Sequence, residues 1–298
     1  MSGLPTVSVV LCTRNHAASL LLTLRSFESF DPTSTPPWEL IVVDNGSTDD
    51  TAEVVREFAA QAKFAVRYAF AEKQGLSNAR NAGLAVVNGS IVAFTDDDVR
   101  VTPDWLAQLK REYSDPSIAL VCGRTLPLHA DVFPLSIKDS PERALYRHPS
   151  NPLGIGLGNN MSIRKSVADE IGPFDPHLGA GTRCGAAEDT DYIYRVLKSG
   201  RTVVYTPLPL VYHDHDRVTA EQIDRIQRNY RRGYGACLAK HILRGDSWML
   251  KLGYWDQRSM WRGDKSPRDS AGSGPYIAET WRGAWYRLAD EIGARLRR

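Results

Sequence analysis

Short apolar runs alternate with amphipathic stretches through the first third of the chain. Compact runs rich in β-branched residues occupy 7–12, 40–43 and 91–95, and such runs are typical of buried parallel strands covered on both faces. Between them, apolar residues recur at helical spacing, as in the segment 20–27. This alternation predicts an α/β fold with a Rossmann-like, mostly parallel sheet flanked by helices.

Turn and capping signals set the boundaries of several predicted helices. Asp50 and Glu53 have the spacing of a capping box, so a helix should begin near Asp50. A further helix is predicted over 77–87, and the segment 102–104 places a proline at another helix start. A second capping-box pattern occurs at 219–222.

The later part of the chain changes character twice. The segment 126–151 is irregular and rich in Pro, His and Ser, which predicts a long loop over the site. A helix is predicted over 188–198 and a strand over 202–205. We therefore expect an α/β domain over 1–215 and a basic, Trp-rich, mainly helical C-terminal extension over 216–298.

The overall charge of +2 conceals an uneven distribution of charged residues. Residues 1–215 carry 20 Lys and Arg against 25 Asp and Glu, whereas residues 216–298 carry 17 against 10. An acidic first part suits a site that gathers a divalent cation, and a basic tail suits an anionic partner such as a membrane surface or a phosphorylated acceptor. Nucleic acid is not an expected partner, because the basic residues are interleaved with acidic ones and match no nucleic-acid motif.

Cysteine usage and apolar content bear on the cellular compartment. The four cysteines are widely spaced and form no Cys-x-x-Cys pair, so a reducing compartment is the simpler expectation. No signal-peptide pattern opens the sequence, and no run approaches 18 apolar residues. These features predict a cytoplasmic protein, with peripheral contact at the inner face of the membrane through its tail.

Polar clusters follow the predicted strands where each strand stops. Thr13-Arg14-Asn15 follows the first strand, Asp44-Asn45 the second, and Asp96-Asp97-Asp98 the run at 91–95. Because ligands of open α/β sheets sit beyond the carboxyl ends of the strands, these side chains should face one crevice. Asp44 could accept hydrogen bonds from a base or ribose there, or it could simply cap a turn.

The acidic triplet carries the sharpest chemical signal. Three adjacent carboxylates repel one another, and a divalent cation that bridges two phosphates would compensate them. The alternation of a strand places Asp96 and Asp98 on one side and Asp97 on the other. The alternative is a solvated acidic turn that caps the following helix.

Three further patterns add candidates, each with a structural alternative. Residues 75–83 place Arg80 on the first turns of a helix, either near a diphosphate or on a solvated surface. Glu188-Asp189 opens a helix, where a carboxylate could act as a general base or could be present only because the helix dipole stabilises negative charge at that end. His213 and His215 could provide a metal ligand or belong to a polar turn.

In order and spacing, these motifs resemble those of the family 2 glycosyltransferases, whose fold is the nucleotide-diphospho-sugar (GT-A) fold. The resemblance runs from residue 7 to about residue 215. The matching segments are Val9 to Asn15, Val43 to Asp49, Gly75 to Gly83, Asp96-Asp97-Asp98, Gly158 to Ile163, Glu188-Asp189 and His213.

The resemblance implies a role for each matching residue. The residues that would contact the nucleotide-sugar are Thr13, Arg14, Asn15, Asp44, Gly75, Arg80, Asp96, Asp97, Asn160 and Glu188. The ligands of a Mn²⁺ or Mg²⁺ ion would be Asp98 and Asp96, with His213 or His215 as a further ligand. Asp189 is similar to the family's catalytic base.

The implied reaction is inverting transfer of a sugar from a UDP-, dTDP- or GDP-linked donor to an acceptor hydroxyl, in polysaccharide, glycolipid or glycosylated-metabolite biosynthesis. The signature Gln-x-x-Arg-Trp of processive synthases is missing, since Gln227 is followed by Arg228-Asn229-Tyr230, so the transfer should be non-processive. One alternative is a sugar nucleotidyltransferase, although the first strand leads into no glycine-rich basic loop. The other is a catalytically inactive sugar-nucleotide-binding protein, although Asp96, Asp98 and Asp189 are all present.

The tail carries an apolar stripe of its own. Trp281, Trp285, Leu288 and Ile292 lie close to one face of a predicted helix, with several arginines nearby. This composition predicts contact either with an anionic membrane that holds a lipid-linked acceptor or with the catalytic domain or a second subunit.

Overall fold

The described residues form one sheet packed between helices, followed by three further helices. The computed structural model describes residues 6–129, 133–214, 219–261 and 273–296. Its strands are β1 (Val7–Thr13), β2 (Trp38–Asp44), β3 (Ala65–Phe70), β4 (Ile91–Asp96), β5 (Val99–Val101), β6 (Ile118–Pro127), β7 (Ala144–Tyr146), β8 (Met161–Arg164) and β9 (Thr202–His213). Its α-helices are α1 (Ala17–Ser26), α2 (Thr51–Gln61), α3 (Leu76–Leu84), α4 (Trp105–Glu112), α5 (Lys165–Ile171), α6 (Glu188–Lys198), α7 (Ala220–Ile242), α8 (Ser247–Trp261) and α9 (Ser273–Leu296).

The sheet is parallel in its first half and mixed in its second. Its strand order is β3-β2-β1-β4-β8-β6-β9-β5, and β7 pairs with β9. The ladders among β3, β2, β1 and β4 are parallel, as is that between β6 and β9. The strand β8 runs antiparallel between β4 and β6, and β5 and β7 run antiparallel to β9. The α/β prediction is confirmed, but parallel pairing is confined mainly to the apolar runs from which it was inferred.

The strand β9 is three times as long as the predicted strand at 202–205. It contains Pro207 and Pro209, which cannot donate to a ladder and normally argue against a strand. The ladder with β6 accommodates them through a register shift between Cys122 and Arg124. The strand therefore continues to His213, and this brings that imidazole to the carboxyl end of β4. The predicted loop over 126–151 also contains the short strand β7.

Both faces of β1, β2 and β4 are buried, as the compact apolar runs predict, whereas β3 at the edge of the sheet is largely exposed. Alternate residues of β1 enter different apolar clusters: Val10 and Cys12 pack on one face, and Val9 and Leu11 pack on the other. Because β1, β2 and β4 are parallel neighbours, their carboxyl ends lie at one edge of the sheet. The fold thus places the three polar clusters side by side.

Two predicted capping boxes had different outcomes. In α7 the box is formed, because Thr219 Oγ1 accepts from the Gln222 amide and Gln222 Oε1 accepts from the Thr219 amide. In α2 the predicted box is wrong. Asp50 makes no side-chain cap bond there, and Asp49 Oδ1 accepts from the Thr51 amide and hydroxyl instead.

The extension packs tightly on the catalytic part of the chain. A third apolar cluster combines Leu178, Cys184 and Tyr194 with residues of α7 and α8. The helices α7 and α9 touch through their backbones: a Cβ on Gly235 would lie 1.9 Å from the Thr280 carbonyl oxygen, and one on Gly283 1.8 Å from that of Arg232. Among the described residues, no helix has the length and apolar content needed to cross a bilayer.

The close contact between α7 and α9 predicts a large effect for a single methyl group. Gly283→Ala should lower the free energy of unfolding by about 1–3 kcal/mol, because the carbonyl of Arg232 is backbone and cannot swing aside. Gly253→Ala in α8 is the matched control, since its Cβ would lie 3.3 Å from the flexible end of Leu238. Urea denaturation should show the control unchanged or more stable, as expected for Gly to Ala in a helix. Equal stabilities of the two variants would contradict this packing.

Candidate active site

The loops after β1 and β2 are tied together at the edge of the sheet. Asn15 adopts a left-handed φ of 51°. Its side-chain Oδ1 accepts from the backbone N–H of Thr48 at 2.7 Å, and its backbone N–H donates to Ser47 Oγ at 3.0 Å. Arg14 beside it is exposed. Thr13 Oγ1 is buried and has no hydrogen-bond partner among the described residues. This loop therefore leaves a hydroxyl and a guanidinium available for a ligand.

Asp44 and Asn45 organise the neighbouring wall. Asp44 is buried and accepts hydrogen bonds from the Ser47 amide and the Tyr68 hydroxyl, both at 2.8 Å. Burial and this bond to Asp44 raise the pKa of Tyr68 to about 12. Asn45 donates to two carbonyls after β3 and accepts from the Gly75 amide at 2.7 Å. Asn45 thereby fixes the start of α3.

Gly75 and α3 deliver a buried arginine to the sheet edge. Gly75 caps α3 with a φ of 119°, in the region that favours glycine. One turn later Arg80 is 1% exposed, with Nη1 2.8 Å from Glu188 Oε1 and Nη2 3.4 Å from Asp96 Oδ1. Gly158 packs on its guanidinium, since a Cβ there would lie 2.4 Å from Nη2. Arg80 is therefore not a solvated surface residue, and its guanidinium is held between two acidic side chains.

The two carboxylates beside Arg80 have raised pKa values. Burial raises the pKa of Glu188 to about 7, Asp189 adds to the rise, and Arg80 opposes it. Burial likewise raises the pKa of Asp96 to about 6, with Arg80 opposing it and Asp98 and Asp97 adding to it. Such excess negative charge favours a cation at this point.

The acidic triplet diverges in the manner that strand alternation predicts. Asp96 faces Arg80, whereas Asp97 turns to α1, where its Oδ1 lies 3.1 Å from His16 Nδ1. The Asp97 carbonyl also accepts from the hydroxyl of Thr23. Asp98 Oδ2 lies 3.2 Å from His213 Nε2. Asp97 is therefore engaged with α1, and Asp96 and Asp98 remain the pair directed into the crevice.

Asp98 and His213 have the chemistry of a metal-binding pair. Both are buried, and His213 Nδ1 lies 3.3 Å from the Leu135 carbonyl oxygen, which leaves Nε2 facing the carboxylate. In metal-bound histidines, the ring nitrogen that does not bind the metal commonly donates a hydrogen bond to a backbone carbonyl, which fixes the orientation of the ring. Carboxylate oxygens with one imidazole suit Mn²⁺ and Mg²⁺. His215, the other predicted ligand, lies outside the described residues.

Asp189 opens α6 beside the Arg80 pocket. Its Oδ2 accepts from the Gly158 amide at 2.9 Å and its Oδ1 from the Thr190 amide at 2.6 Å. The side chain is partly exposed, unlike that of Glu188 before it. The residue before α6, Ala187, has a left-handed φ of 74°, a conformation that is strained for alanine. The backbone thus turns sharply to aim this carboxylate.

Asn160 is occupied with structural bonds. Its Oδ1 accepts from Trp105 Nε1 at 2.9 Å, and its Nδ2 donates to the carbonyls of Arg124 and Pro209 at 2.8 and 2.9 Å. Both amide protons and one lone pair are therefore used inside the protein. This bonding supports a role in bracing β6 against β9 rather than in contacting a donor sugar.

A second acidic cluster lies on the far side of α6. Asp191, Cys237 and His241 place potential ligand atoms close together, but Lys240 Nζ lies 2.7 Å from Asp191 Oδ1 and Arg195 Nε 2.9 Å from Oδ2. Protonated side chains already fill the positions that a cation would take. We interpret this cluster as a buried ion-pair network and not as a metal site.

The network extends to α9 through Asp175. Asp175 Oδ2 lies 2.9 Å from Lys240 Nζ and 2.8 Å from Arg287 Nη1. Burial alone would raise the pKa of Asp175, but the hydrogen bond from His177 and the charges of Lys240 and Arg287 outweigh it and hold the pKa well below its usual range. The pKa of Asp191 is likewise held low, because His241, Lys240 and Arg195 outweigh its burial.

These low pKa values predict acid lability. A carboxylate whose pKa is lowered by folding adds stability above its unfolded value of about 3.9, and that stability is lost as the pH falls toward the folded value. The melting temperature should therefore fall below about pH 4. Between about pH 7 and 5 it should instead rise as the pH is lowered, because folding raises the pKa values of Glu188 and Asp96 and their protonation relieves the cost of burying them charged. In Asp175→Asn that fall should be shallower. A flat wild-type profile down to about pH 3 would contradict the network.

The structure brings several of the predicted residues together at one edge of the sheet. Arg80, Asp96, Glu188 and Asp189 are linked through direct contacts or through Gly158, and Asp98 with His213 adjoins them. Tyr68 was missed as a part of the wall, because it lies in no motif. Asn45 was placed at the strand end but was given no role, because its bonds to Gly75 and to the carbonyls after β3 cannot be read from the sequence.

Comparisons with known proteins agree with this arrangement. The model of the family described as "Glycosyl transferase family 2" matches residues 8–172, and that of "Glycosyl transferase family group 2" matches residues 91–263. A pre-mycofactocin glycosyltransferase of Mycobacterium tuberculosis is 29% identical over 221 residues, covering 70% of this chain and 43% of that protein. Glycosyltransferase AglE of Haloferax volcanii is 29% identical over 184 residues, covering 60% and 59%. The chain thus spans about half the length of these two relatives.

Solved structures share the fold. The mannosyltransferase PcManGT from Pyrobaculum calidifontis, in complex with GDP-Man and Mn²⁺, superposes with a TM-score of 0.66 at 18% identity, covering 99% of this chain and 81% of that one. TarS of S. aureus in complex with UDP-GlcNAc gives a TM-score of 0.58 at 18% identity, covering 76% and 64%. Both likenesses show a common GT-A fold. Since the family 2 model spans more than half of the sequence and begins inside β1, the chain belongs to glycosyl transferase family 2.

Proposed function

We propose that this chain transfers a sugar from a nucleoside-diphosphate donor to an acceptor hydroxyl, with inversion and in a non-processive manner. The observation that carries the proposal is the convergence of Arg80, Asp96, Asp98 and Asp189 at the carboxyl ends of β1, β2 and β4. Such an edge is where open α/β sheets bind nucleotides. The family relationship supports the same chemistry.

The wall formed by the β1 and β2 loops is the proposed nucleoside subsite. The buried hydroxyl of Thr13 and the carboxylate of Asp44 offer hydrogen bonds to a base or ribose. Asn15 acts indirectly by joining the two loops. Relatives of the fold bind GDP-Man and UDP-GlcNAc, so we propose a UDP-, dTDP- or GDP-linked donor.

The diphosphate would meet the acidic triplet and Arg80. Asp98, Asp96 and His213 are the residues that would hold Mn²⁺ or Mg²⁺. When bound, such an ion supplies Lewis-acid stabilisation of the charge that develops on the leaving phosphate. Glu188 keeps Arg80 fixed at 2.8 Å, so the guanidinium needs no reorientation to oppose that charge.

Asp189 is the proposed general base. The amide of Gly158 orients its carboxylate, while partial exposure leaves room for an acceptor. Asp189 removes the proton of the acceptor hydroxyl as that oxygen attacks the anomeric carbon, and the nucleoside diphosphate departs from the opposite face. A single displacement of this kind inverts the anomeric configuration.

The metal claim has a direct activity test. Many transferases hydrolyse their donor slowly without acceptor, so the release of UDP, dTDP or GDP from a panel of sugar nucleotides can be measured with Mn²⁺ present. EDTA should abolish that release, and excess Mn²⁺ or Mg²⁺ should restore it. Full activity in excess chelator would remove the metal from the proposal. No release from any donor, together with no stabilisation by them, would count against the transferase itself.

A further inference from the structure

The helix α9 presents its apolar side to solvent and its polar side to the protein. Four large apolar residues of α9 are exposed by 47–83%, and they are Trp281, Trp285, Ile292 and Leu296. With the half-buried Leu288 they are spaced by four, three, four and four residues, which is one continuous helical stripe about 22 Å long.

The opposite side of α9 is buried and carries two charged residues that are almost fully enclosed. Glu279 and Arg287 are 3% and 4% exposed and pair with Arg232 and Asp175. Gly283 on the same side meets the backbone of α7. In a globular protein an amphipathic helix normally turns its apolar side inward. Here the inward position is already taken by ion pairs, so the apolar stripe is directed outward by the packing itself.

The exposed face of α8 has a related composition. It combines the apolar residues Leu250, Tyr254 and Trp255, exposed by 51–59%, with the exposed basic residues Lys251 and Arg258. Tryptophan and tyrosine beside basic side chains are enriched where proteins meet the headgroup region of a bilayer. Two successive helices of the extension therefore offer the same chemistry to their surroundings.

We propose that the stripe on α9, together with the exposed face of α8, docks on an anionic phospholipid surface. Charge favours this occupant. The acidic residues in the described part of α9 are Glu279, Asp290 and Glu291, and each is paired with an arginine. Residues 216–298 meanwhile carry 17 Lys and Arg against 10 Asp and Glu. The positive excess attracts an anionic surface.

A second copy of the chain is the competing occupant. A two-fold contact through this face would bring Lys251 and Arg258 of one copy toward the same basic patch of the other. Like charges placed together oppose association, whereas lipid phosphates would neutralise them. The same basic side chains that favour a bilayer therefore disfavour self-association.

Vesicle sedimentation of the full chain tests the proposal without any assay of transfer. Wild-type protein should pellet with phosphatidylcholine vesicles that contain phosphatidylglycerol, more weakly with phosphatidylcholine alone, and more weakly at high salt. The double variant Trp281→Ser/Trp285→Ser should bind at least about tenfold more weakly, since two large side chains lose their lipid contact. Leu22→Ser/Leu145→Ser is the matched control, because both leucines are exposed on the catalytic part, and it should bind like the wild type.

Thermal unfolding of both double variants should match the wild type, because the four side chains are largely exposed, and this shows that any loss of binding is local. Failure of the wild type to pellet, or equal pelleting of the tryptophan variant, would overturn the proposal. A concentration-dependent dimer seen by analytical ultracentrifugation that is lost in the tryptophan variant, with no vesicle binding, would assign the face to a second copy instead.

Discussion

Asp189→Asn should lower turnover by roughly 10²–10⁴-fold, the usual scale of general-base catalysis. The side-chain oxygen of the asparagine can still accept from the Gly158 N–H, although the bond from the Thr190 N–H to the second carboxylate oxygen is lost. What is lost for the reaction is the ability to take the acceptor proton. The turnover number with saturating donor and acceptor measures the effect, once a donor has been identified by stabilisation of the protein against heat.

Donor binding separates this effect from damage to the pocket. The shift in melting temperature produced by Mn²⁺ with the donor nucleotide should be nearly the same in Asp189→Asn and wild type, because Asp189 lies on the acceptor side of the proposed reaction. Asp169→Asn is the control: this carboxylate is exposed on α5 and pairs with Lys165, and turnover should not change. Near-normal turnover of Asp189→Asn would require another base.

Lys240→Met should lower the free energy of unfolding by about 3–5 kcal/mol, the range found when one partner of a buried ion pair is removed. Lys240 is 4% exposed and its Nζ contacts both Asp175 and Asp191. Methionine fills the volume of the lysine stem, so the loss is mainly that of the charge. Two buried carboxylates would then share fewer cations. Urea denaturation measures the change.

Lys165→Met provides a matched comparison. Lys165 also pairs with an aspartate, but Asp169 is 62% exposed and the pair links one turn of α5 to the next. Such surface pairs contribute about 0.5 kcal/mol or less. If the free energy of unfolding fell equally in the two variants, the buried ion pairs of Lys240 would contribute no more to stability than a surface ion pair.

The sequence predicts β1, β2 and β4 well because these strands are apolar on both faces, whereas β3 was not predicted and its residues are largely exposed. The strand-end clusters then follow from topology alone, since neighbouring parallel strands must end together. The second half was predicted less well. Pro207 and Pro209 argue against a strand in the sequence, but they lie where the ladder between β6 and β9 is interrupted and no hydrogen bond from them is needed. The strand β8 is too short for its direction to be inferred.

Motif residues were predicted better than their partners. Spacing identified Arg80 and Glu188 separately, but only the fold shows that they form a 2.8 Å pair across 108 residues of sequence. The same limit explains Asn160, whose place in a motif gave no sign that Trp105 and two carbonyls use its amide. The capping box at Asp50 is not formed, and Asp49, one residue earlier, instead accepts from the amide and hydroxyl of Thr51 at the start of α2.

The helix α6 contributes both to the candidate site and to the contact with α7, and this limits where the chain can be joined to that of a relative. Its first turn bears Glu188 and Asp189 and also Asp191, which contacts Lys240 and His241 of α7. A chimera that joined residues 1–215 of this chain to the tail of a relative would deprive Asp175 of Lys240 and Arg287, and Asp191 of Lys240 and His241. A fused domain should be attached after Leu296 instead. In evolution, a substitution of Asp175 or Asp191 should be accompanied by a substitution of the Lys, His or Arg residue of the tail that it contacts.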